Sequence, residues 1–562
     1  MLVSRNWLSD YVSLEGIDPA ELAHLLTMTT VEVEGVIERG DDMLLQIDNK
    51  SLTNRPDLWG HYGMAREIAA ILQRELRPID AADVEWGAVE LVGEVAEDCC
   101  DRFTLTPLIA VPGAPTPDWM MARLHAVEVD PTGLFYVDLA YYTMLATGQP
   151  MHTYDREKVN GPVGVKWSTP GERFRALHGD EVRLGKVAMV HDSARGLCVA
   201  GVLGGADSSV VQSTNSILLE CASFSASAIR KASQELQIRT EASTRYEKAI
   251  DTARVSDAVA HYLALAQSIY PETVILRGQD RTNAATHAVT VPVTHNYLTG
   301  GLGLELSSQE IEAGLARLGF RSTITPSGDL EVTAPIWRST GDIKSPPDIL
   351  EEVARLHGYE NLPVKDIEVT LRPAREGGRV SVTRRITDVL AKVGGLNQVI
   401  TYPWVRDRSL AQLGIDKKPL VHFEGAPSPD RNTLRPSLLP GLLEAIQTNI
   451  AVDVEPHLFE VGVVFGRSDV LPPIESDNAA AIIVGPDPQG SYRHAKGLID
   501  ALSVECGKPG NQPASQRVEG GWRSEAVEVE AIFHSRAIFK AAAVAQGAKP
   551  SEAKVRAASR ER

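Results

Sequence analysis

The chain has 562 residues, 74 acids against 56 bases, and a formal charge of −18. That balance excludes a protein that coats nucleic acid by bulk attraction, since phosphate contacts need clustered Lys and Arg, so any RNA contact is local or supplied by a partner. The length predicts roughly three to five domains, and no run approaches the stretch of about eighteen apolar residues that marks a membrane span. The start, Met1–Asp10, lacks the apolar core of a signal peptide. Cys99, Cys100, Cys198, Cys221 and Cys506 form no C-x-x-C pair, so neither a disulfide framework nor a zinc site is expected and the predicted location is cytoplasmic.

Residues 1–85 read as a small α+β unit. Asp18-Pro19-Ala20-Glu21 predicts a capping box leading into Leu22, Leu25 and Leu26. Val31–Ile37 alternates in part as a strand, turns at Gly40-Asp41-Asp42 and returns as Met43–Ile47. Asn54-Arg55-Pro56-Asp57 predicts the start of a long helix through Ala70, whose Arg66 and Glu67 suit a solvated face. Residues 86–277 follow. Pro112–Asp118 is a loop leading to Trp119–Leu124; then come Asp138–Leu145, Gly148-Gln149-Pro150-Met151-His152-Thr153-Tyr154-Asp155, Ala200–Gly205, Leu219–Phe224 and Thr240–Lys248. Gly201, Gly204 and Gly205 would let backbone approach a ligand closely. On their own, His152 and Glu220 read as a buried, hydrogen-bonded histidine and an ordinary strand-end glutamate sooner than as a site. Thr273–Arg277 reads as a strand, and 278–287 as a polar linker.

In 288–365, Ser307 and Glu310 predict a capping box for a helix carrying Ile311, Leu315 and Leu318, stopped by Gly319. Strands around 321–325 and 330–334 come next. A second helix is predicted with Asp348 as N-cap, Glu351 closing a capping box and Gly358 ending it. Ile349, Leu350, Val353, Ala354 and Leu356 share one side of that helix, while Asp348, Glu351 and Glu352 gather on the other. Asp342 is close enough to fold back onto the acids. Such a face is either a solvated helix start or a seat for a hard divalent cation such as Mg²⁺. Residues 375–540 carry Arg384-Arg385-Ile386 on a helix, then Gly395–Tyr402, Asn432–Leu442 and His457–Gly462. Gly507–Ala514 reads as a loop and 541–562 as a polar, poorly ordered tail.

Two phrases carry a resemblance. Ala334-Pro-Ile-Trp-Arg338, then Asp342, Asp348-Ile-Leu-Glu-Glu-Val-Ala-Arg-Leu-His-Gly-Tyr-Glu-Asn-Leu-Pro363, resembles one domain of the phenylalanyl-tRNA synthetase beta subunit. Asn54-Arg-Pro-Asp57 with Gly63-Met-Ala-Arg-Glu67 is similar to that family's first domain. The resemblance implies that Asp342, Asp348, Glu351 and Glu352 bind Mg²⁺. Between Arg338 and Asp342 the chain is two residues longer than the family pattern. The resemblance further implies a short form, with the Gly40 turn in place of an inserted OB-fold domain and without a C-terminal anticodon-stem-binding domain. The implied fold class is α+β multidomain: an N-terminal α+β unit, an editing-type α/β domain, a winged-helix-like module and a class II synthetase-like antiparallel sheet domain. That last domain is expected to be catalytically silent. Arg435 is followed by Pro436 and Ser437 instead of completing an Arg-x-Glu strand, and no glycine-rich Glu-Arg segment follows to clamp ATP.

In the family the 86–277 region hydrolyses mischarged tyrosyl-tRNA(Phe). An apolar pocket built for phenylalanine rejects an added hydroxyl only weakly, so accuracy needs a second site. The resemblance makes Glu220 the acceptor of the phenolic proton and His152 the group that orients the ribose or the water. Gly201, Gly204 and Gly205 would line that pocket. Ala140-Tyr141 replaces the family's Thr-Asn or Ser-Asn, which predicts weak editing. The reading is therefore a non-catalytic beta subunit whose alpha partner binds ATP and charges tRNA(Phe), in an assembly of two alpha and two beta chains with no DNA or membrane partner. A free-standing hydrolase of mischarged tRNA and a non-enzymic structural paralogue are the alternatives.

Overall fold

The computed structural model describes residues 1–87, 90–177, 179–364, 366, 369–370, 378–426, 428–452, 455–468, 472–505, 521–523 and 528–531. Two units emerge, Met1–Ile367 and Glu368–Arg562. Among the described residues no helix is long and apolar enough to cross a membrane.

The first unit is organised around the Ser216–Phe224 strand, which pairs antiparallel with Cys100–Ile109 on one side and Met151–Asp155 on the other. Successive side chains of a strand point to opposite faces. Ile217, Leu219 and Cys221 therefore enter one core, shared with the helices Phe135–Thr147 and Arg254–Ile269. Leu218, Ala222 and Phe224 enter another, against a second sheet running Leu203–Gly204, Gly196–Val199, Ala188–His191, Val163–Trp167 and Val92–Val95. Glu220 is placed by the same parity on the second face.

The N-terminal segment shares the first core and supplies Trp7 and Trp59 to it. Its sheet follows the predicted hairpin, Val33–Arg39 against Asp42–Ile47, with Leu2–Ser4 added on the far side. Asp18 caps the Pro19–Thr29 helix, accepting from the Ala20 N–H at 2.8 Å. Asn54–Asp57 does not start a long helix. Pro56–Trp59 makes one 3₁₀ turn, Gly60 is extended, and the α-helix is His61–Leu72. Close packing at this break leaves no room for a side chain, since a Cβ on Gly60 would lie 2.3 Å from the Gly148 nitrogen.

The strands Thr290–Val293, Leu330–Thr333 and Arg321–Ile324 form an antiparallel sheet in that order. It packs with helices His295–Leu302, Ser308–Arg317 and Pro346–His357 around one apolar cluster. The Ser307/Glu310 capping box forms as expected. The acidic helix starts earlier than expected. Its N-cap is Ser345, Asp348 is the third helical residue, and the two share the capping box, so Glu351 closes nothing. Pro346 and Pro347 sit in the first turn, where a missing N–H costs no hydrogen bond.

In the second unit the sheet order is Asn397–Gln398, His457–Gly466, Ile474–Ile483, Glu528–Ala531, Gly521–Arg523. It is mixed and not purely antiparallel: the first pair and the Ile474–Ile483/Glu528–Ala531 pair are parallel. Parallel neighbours need a long crossover, and the helix Pro488–Glu505 lies between the latter two strands in the chain. The predicted loop at 507–514 and tail at 541–562 lie outside the described residues.

Candidate functional site

Glu220 and His152 stand directly opposite each other in the register of the central sheet. Both face the second core, because each occupies the parity of Leu218 and Tyr154 in its own strand. Glu220 is 3% exposed, and its carboxylate accepts a hydrogen bond from the Tyr154 hydroxyl. The Cys198 sulfur lies 3.1 Å from the same hydroxyl. Burial raises the Glu220 pKa to about 7, the Tyr154 hydrogen bond opposing that rise. A carboxyl in that position is a proton reservoir near neutrality. Desolvation lowers the His152 pKa to about 4, so its imidazole is neutral at pH 7. The ring packs edge-on to Tyr154, with centroids 4.6 Å apart.

The three predicted glycines divide by contact. A Cβ on Gly204 would meet the His152 ring at 3.1 Å, so the absent side chain lets that loop lie on the imidazole. Gly201 has φ +63° and faces Tyr246, and Gly205 is pressed against the Leu197 carbonyl. Ala140 is buried in the first core and Tyr141 is 39% exposed. Nothing in the sequence around Tyr154 and Cys198 signals a role for either. Tyr154 in fact supplies, from within the chain, the phenol that Glu220 was expected to accept from a substrate.

The four predicted metal ligands line one polar cleft of about 300 Å³, together with Asn54, Arg55, Arg338, Arg355 and Tyr359. Glu352 is buried and not solvated. Arg338 donates to its two oxygens at 3.0 and 2.7 Å, and Arg355 at 3.0 and 2.5 Å. Arg355 also reaches Glu67 at 2.7 Å, and Glu67 accepts from Arg55 at 2.5 Å. Arg55 forks onto Asp57 at 2.9 and 2.8 Å. Asp342 is held by Arg338 and by Asn54. Burial alone would raise the Glu352 pKa, but Arg338 and Arg355 outweigh it and hold the group at about 2. Glu67, expected on a solvated face, is likewise buried and held below the usual carboxylate range: Arg55, Arg355 and Arg338 overcome its desolvation.

Asp348 spends one oxygen on the Lys344 and Ser345 N–H groups and the Ser345 hydroxyl, all within 2.9 Å. Glu351 is exposed. Mg²⁺ demands oxygen ligands in near-octahedral array at about 2.0–2.1 Å. Guanidinium groups stand where two of the four acids would have to turn. Among the described residues no three acidic, histidine or cysteine side chains are grouped to hold a metal. The quartet as folded does not fit a four-carboxylate magnesium cage. The arginines that occupy these carboxylates carry no assigned role in the sequence. The Arg338/Asp342 and Glu352/Arg355 spacings, four and three residues, were the available signal.

In the second unit, Arg435 donates to Glu460 at 2.7 Å, to the Thr401 hydroxyl at 3.1 Å and to the Val463 carbonyl at 2.8 Å. The guanidinium is buried and committed within the fold.

Three family models match: the B3/4 domain over residues 99–270, the tRNA synthetase B5 domain over 291–359, and the phenylalanyl tRNA synthetase beta chain CLM domain over 362–534. Curated relatives called phenylalanine–tRNA ligase beta subunit are similar along most of the chain. That of Solibacter usitatus is 32% identical over 445 residues, covering 77% of this chain and 57% of the relative. That of Bacillus subtilis is 32% identical over 490 residues, covering 83% and 60%. That of Rhodopirellula baltica is 29% identical over 524 residues, covering 91% and 75%. The chain thus spans somewhat over half the length of the first relatives it matches. A solved N-terminal fragment of the Pyrococcus horikoshii phenylalanyl-tRNA synthetase beta subunit aligns with 64% of this chain and 99% of its own, at 17% identity and a TM-score of 0.38.

Proposed function

Because the chain belongs to the phenylalanine–tRNA ligase beta-subunit family, we propose that it supports the ATP-dependent attachment of phenylalanine to tRNA(Phe) without performing it. The observation that carries this reading is the enclosure of Arg435. A class II site needs a free guanidinium on the α-phosphate of ATP, and here that cation is spent on Glu460, Thr401 and Val463. Adenylate formation and transfer then belong to an alpha chain, which holds ATP with its Mg²⁺. Two alpha and two beta chains working in the cytoplasm complete the reading.

The Glu220–His152 face is the proposed editing site. A tyrosyl phenol would compete with Tyr154 for the Glu220 carboxylate, and phenylalanine has no hydroxyl with which to compete. His152, neutral at pH 7, would accept or donate one hydrogen bond to the ester or its water. Gly204 would leave the room for backbone to approach there, with Gly201 and Gly205 shaping the loop.

The test is co-expression with an alpha chain of the same family. The expected result is co-purification, phenylalanine-dependent ATP–pyrophosphate exchange by the complex, and none by this chain alone. Robust exchange by the purified single chain would overturn the supporting role.

A further inference from the structure

In a chain of net charge −18, cations that form no close ion pair among the described residues are informative where they gather on one surface. Arg230 and Lys231 are exposed on the Ala226–Leu236 helix, and Arg239 is exposed just beyond it. Lys248 is half-buried, its ammonium 5.6 Å from the centre of the Trp59 ring. Two neutral acceptors hold the arginines in place: Arg230 donates to the Glu247 carbonyl and Arg239 to the Thr244 hydroxyl, both at 3.3 Å. A guanidinium carries five N–H donors, so these bonds do not exhaust either one among the described residues. The acids nearest in sequence are Glu235, Glu241 and Glu247, and Glu241 is spent on Arg245. Desolvation, with Arg239 and Arg230 nearby, lowers the Lys248 pKa against the opposing pull of Glu247. Like charges gathered on one surface repel, and a polyanion would relieve them.

The cluster adjoins the proposed editing face. Thr240, next to Arg239, donates to the Val202 carbonyl at 3.3 Å. Val202 belongs to the loop whose Gly204 lies on His152. We propose that Arg230, Lys231, Arg239 and Lys248 form a phosphate-binding strip that guides the single-stranded end of an RNA past this loop. The strip rests on the reading of His152 and Glu220 as an ester site, because an ester carried on an RNA terminus brings its phosphates with it.

The experiment measures binding of a labelled single-stranded RNA oligonucleotide to the full chain across a salt series, with polyglutamate of matched charge in parallel. The variants are Arg230→Gln/Lys231→Gln/Arg239→Gln, Arg239→Glu alone, and a control, Lys50→Gln/Arg183→Gln/Arg321→Gln, that removes three exposed cations elsewhere. Each phosphate contact on a single strand contributes about 0.7 to the slope of log K against log salt, so the strip variant should flatten that slope by about 2. Its affinity should fall at least about tenfold at low salt, with Arg239→Glu weakening binding in the same direction and the control unchanged. An unchanged slope, or an equal loss in the control, overturns the strip. Polyglutamate bound as tightly as RNA through the same residues overturns the RNA assignment in favour of an acidic protein. Deacylation of tyrosyl-tRNA(Phe) by the complex with an alpha chain is followed in the same preparations, with Glu220→Gln alongside. Deacylation that depends on Glu220, with RNA binding unaltered in the strip variant, sinks only the strip, whereas deacylation indifferent to Glu220 sinks the ester-site reading itself.

Discussion

Replacing Glu220 with Gln tests the buried face most sharply. The carboxyl is 3% exposed and its hydrogen-bond partner is Tyr154. Its folded pKa is raised from 4.5 to about 7. The folded chain therefore keeps a proton that the unfolded chain releases between those values. Stability from this group is fully present below about pH 4.5 and is lost as pH rises through about 7. At 1.36 kcal/mol per pKa unit, the loss is on the order of 3 kcal/mol. Gln keeps the shape and an acceptor for Tyr154 but cannot titrate, so the variant should gain on the wild type by that amount between about pH 5 and pH 8. A chain of two units need not unfold in one step. The readout is therefore hydrogen exchange of the Ser216–Phe224 amides, which reports local opening. Parallel pH dependences for wild type and variant would refute the argument, since they require a solvated, ordinary carboxylate at position 220.

Perturbing the cleft, the proposed editing face and the second unit has equally definite consequences. Glu352→Ala leaves Arg338 and Arg355 without their shared acceptor and should cost the first unit about 3–5 kcal/mol, while Glu351→Ala stays within about 0.5 kcal/mol. Thermal unfolding with Mg²⁺ or a chelator should show both values independent of the metal; a magnesium-dependent difference would restore the cation reading. Tyr154→Phe should unmask Glu220 and increase selective deacylation of tyrosyl-tRNA(Phe) by the assembled enzyme from a weak starting rate. Unaltered rate and selectivity in that variant and in Glu220→Gln would move the editing site elsewhere. Arg435→Met should destabilise the second unit through the stranded Glu460 by about 3–5 kcal/mol. Exchange per assembled complex should hold its rate constant, and a loss there without a loss of stability would give Arg435 a catalytic role.

What the sequence determined by itself was whatever depends on residues a few positions apart. Alternation predicted the hairpin of Val31–Ile37 and Met43–Ile47 to within about two residues of the observed Val33–Arg39 and Asp42–Ile47, and Ser307 with Glu310 closed their capping box, because these patterns are satisfied within one strand pair or one helical turn. At the acidic helix the same local logic pointed to Asp348 as cap, whereas the helix begins at Pro346 behind Ser345, because two prolines are tolerated in a first turn. The motif phrases were also legible, since B3/4, B5 and CLM segments each carry their own residues in order. Only the tertiary structure decided what the charged groups in those phrases do. Glu67 and Arg355 are 288 residues apart and meet at 2.7 Å, and Tyr154 finds Glu220 across 66 residues. A carboxylate reads as solvated, metal-binding or ion-paired from the same letter. Its state follows from how much water burial removes and which partner the fold brings within hydrogen-bond reach, and neither quantity is local in the chain.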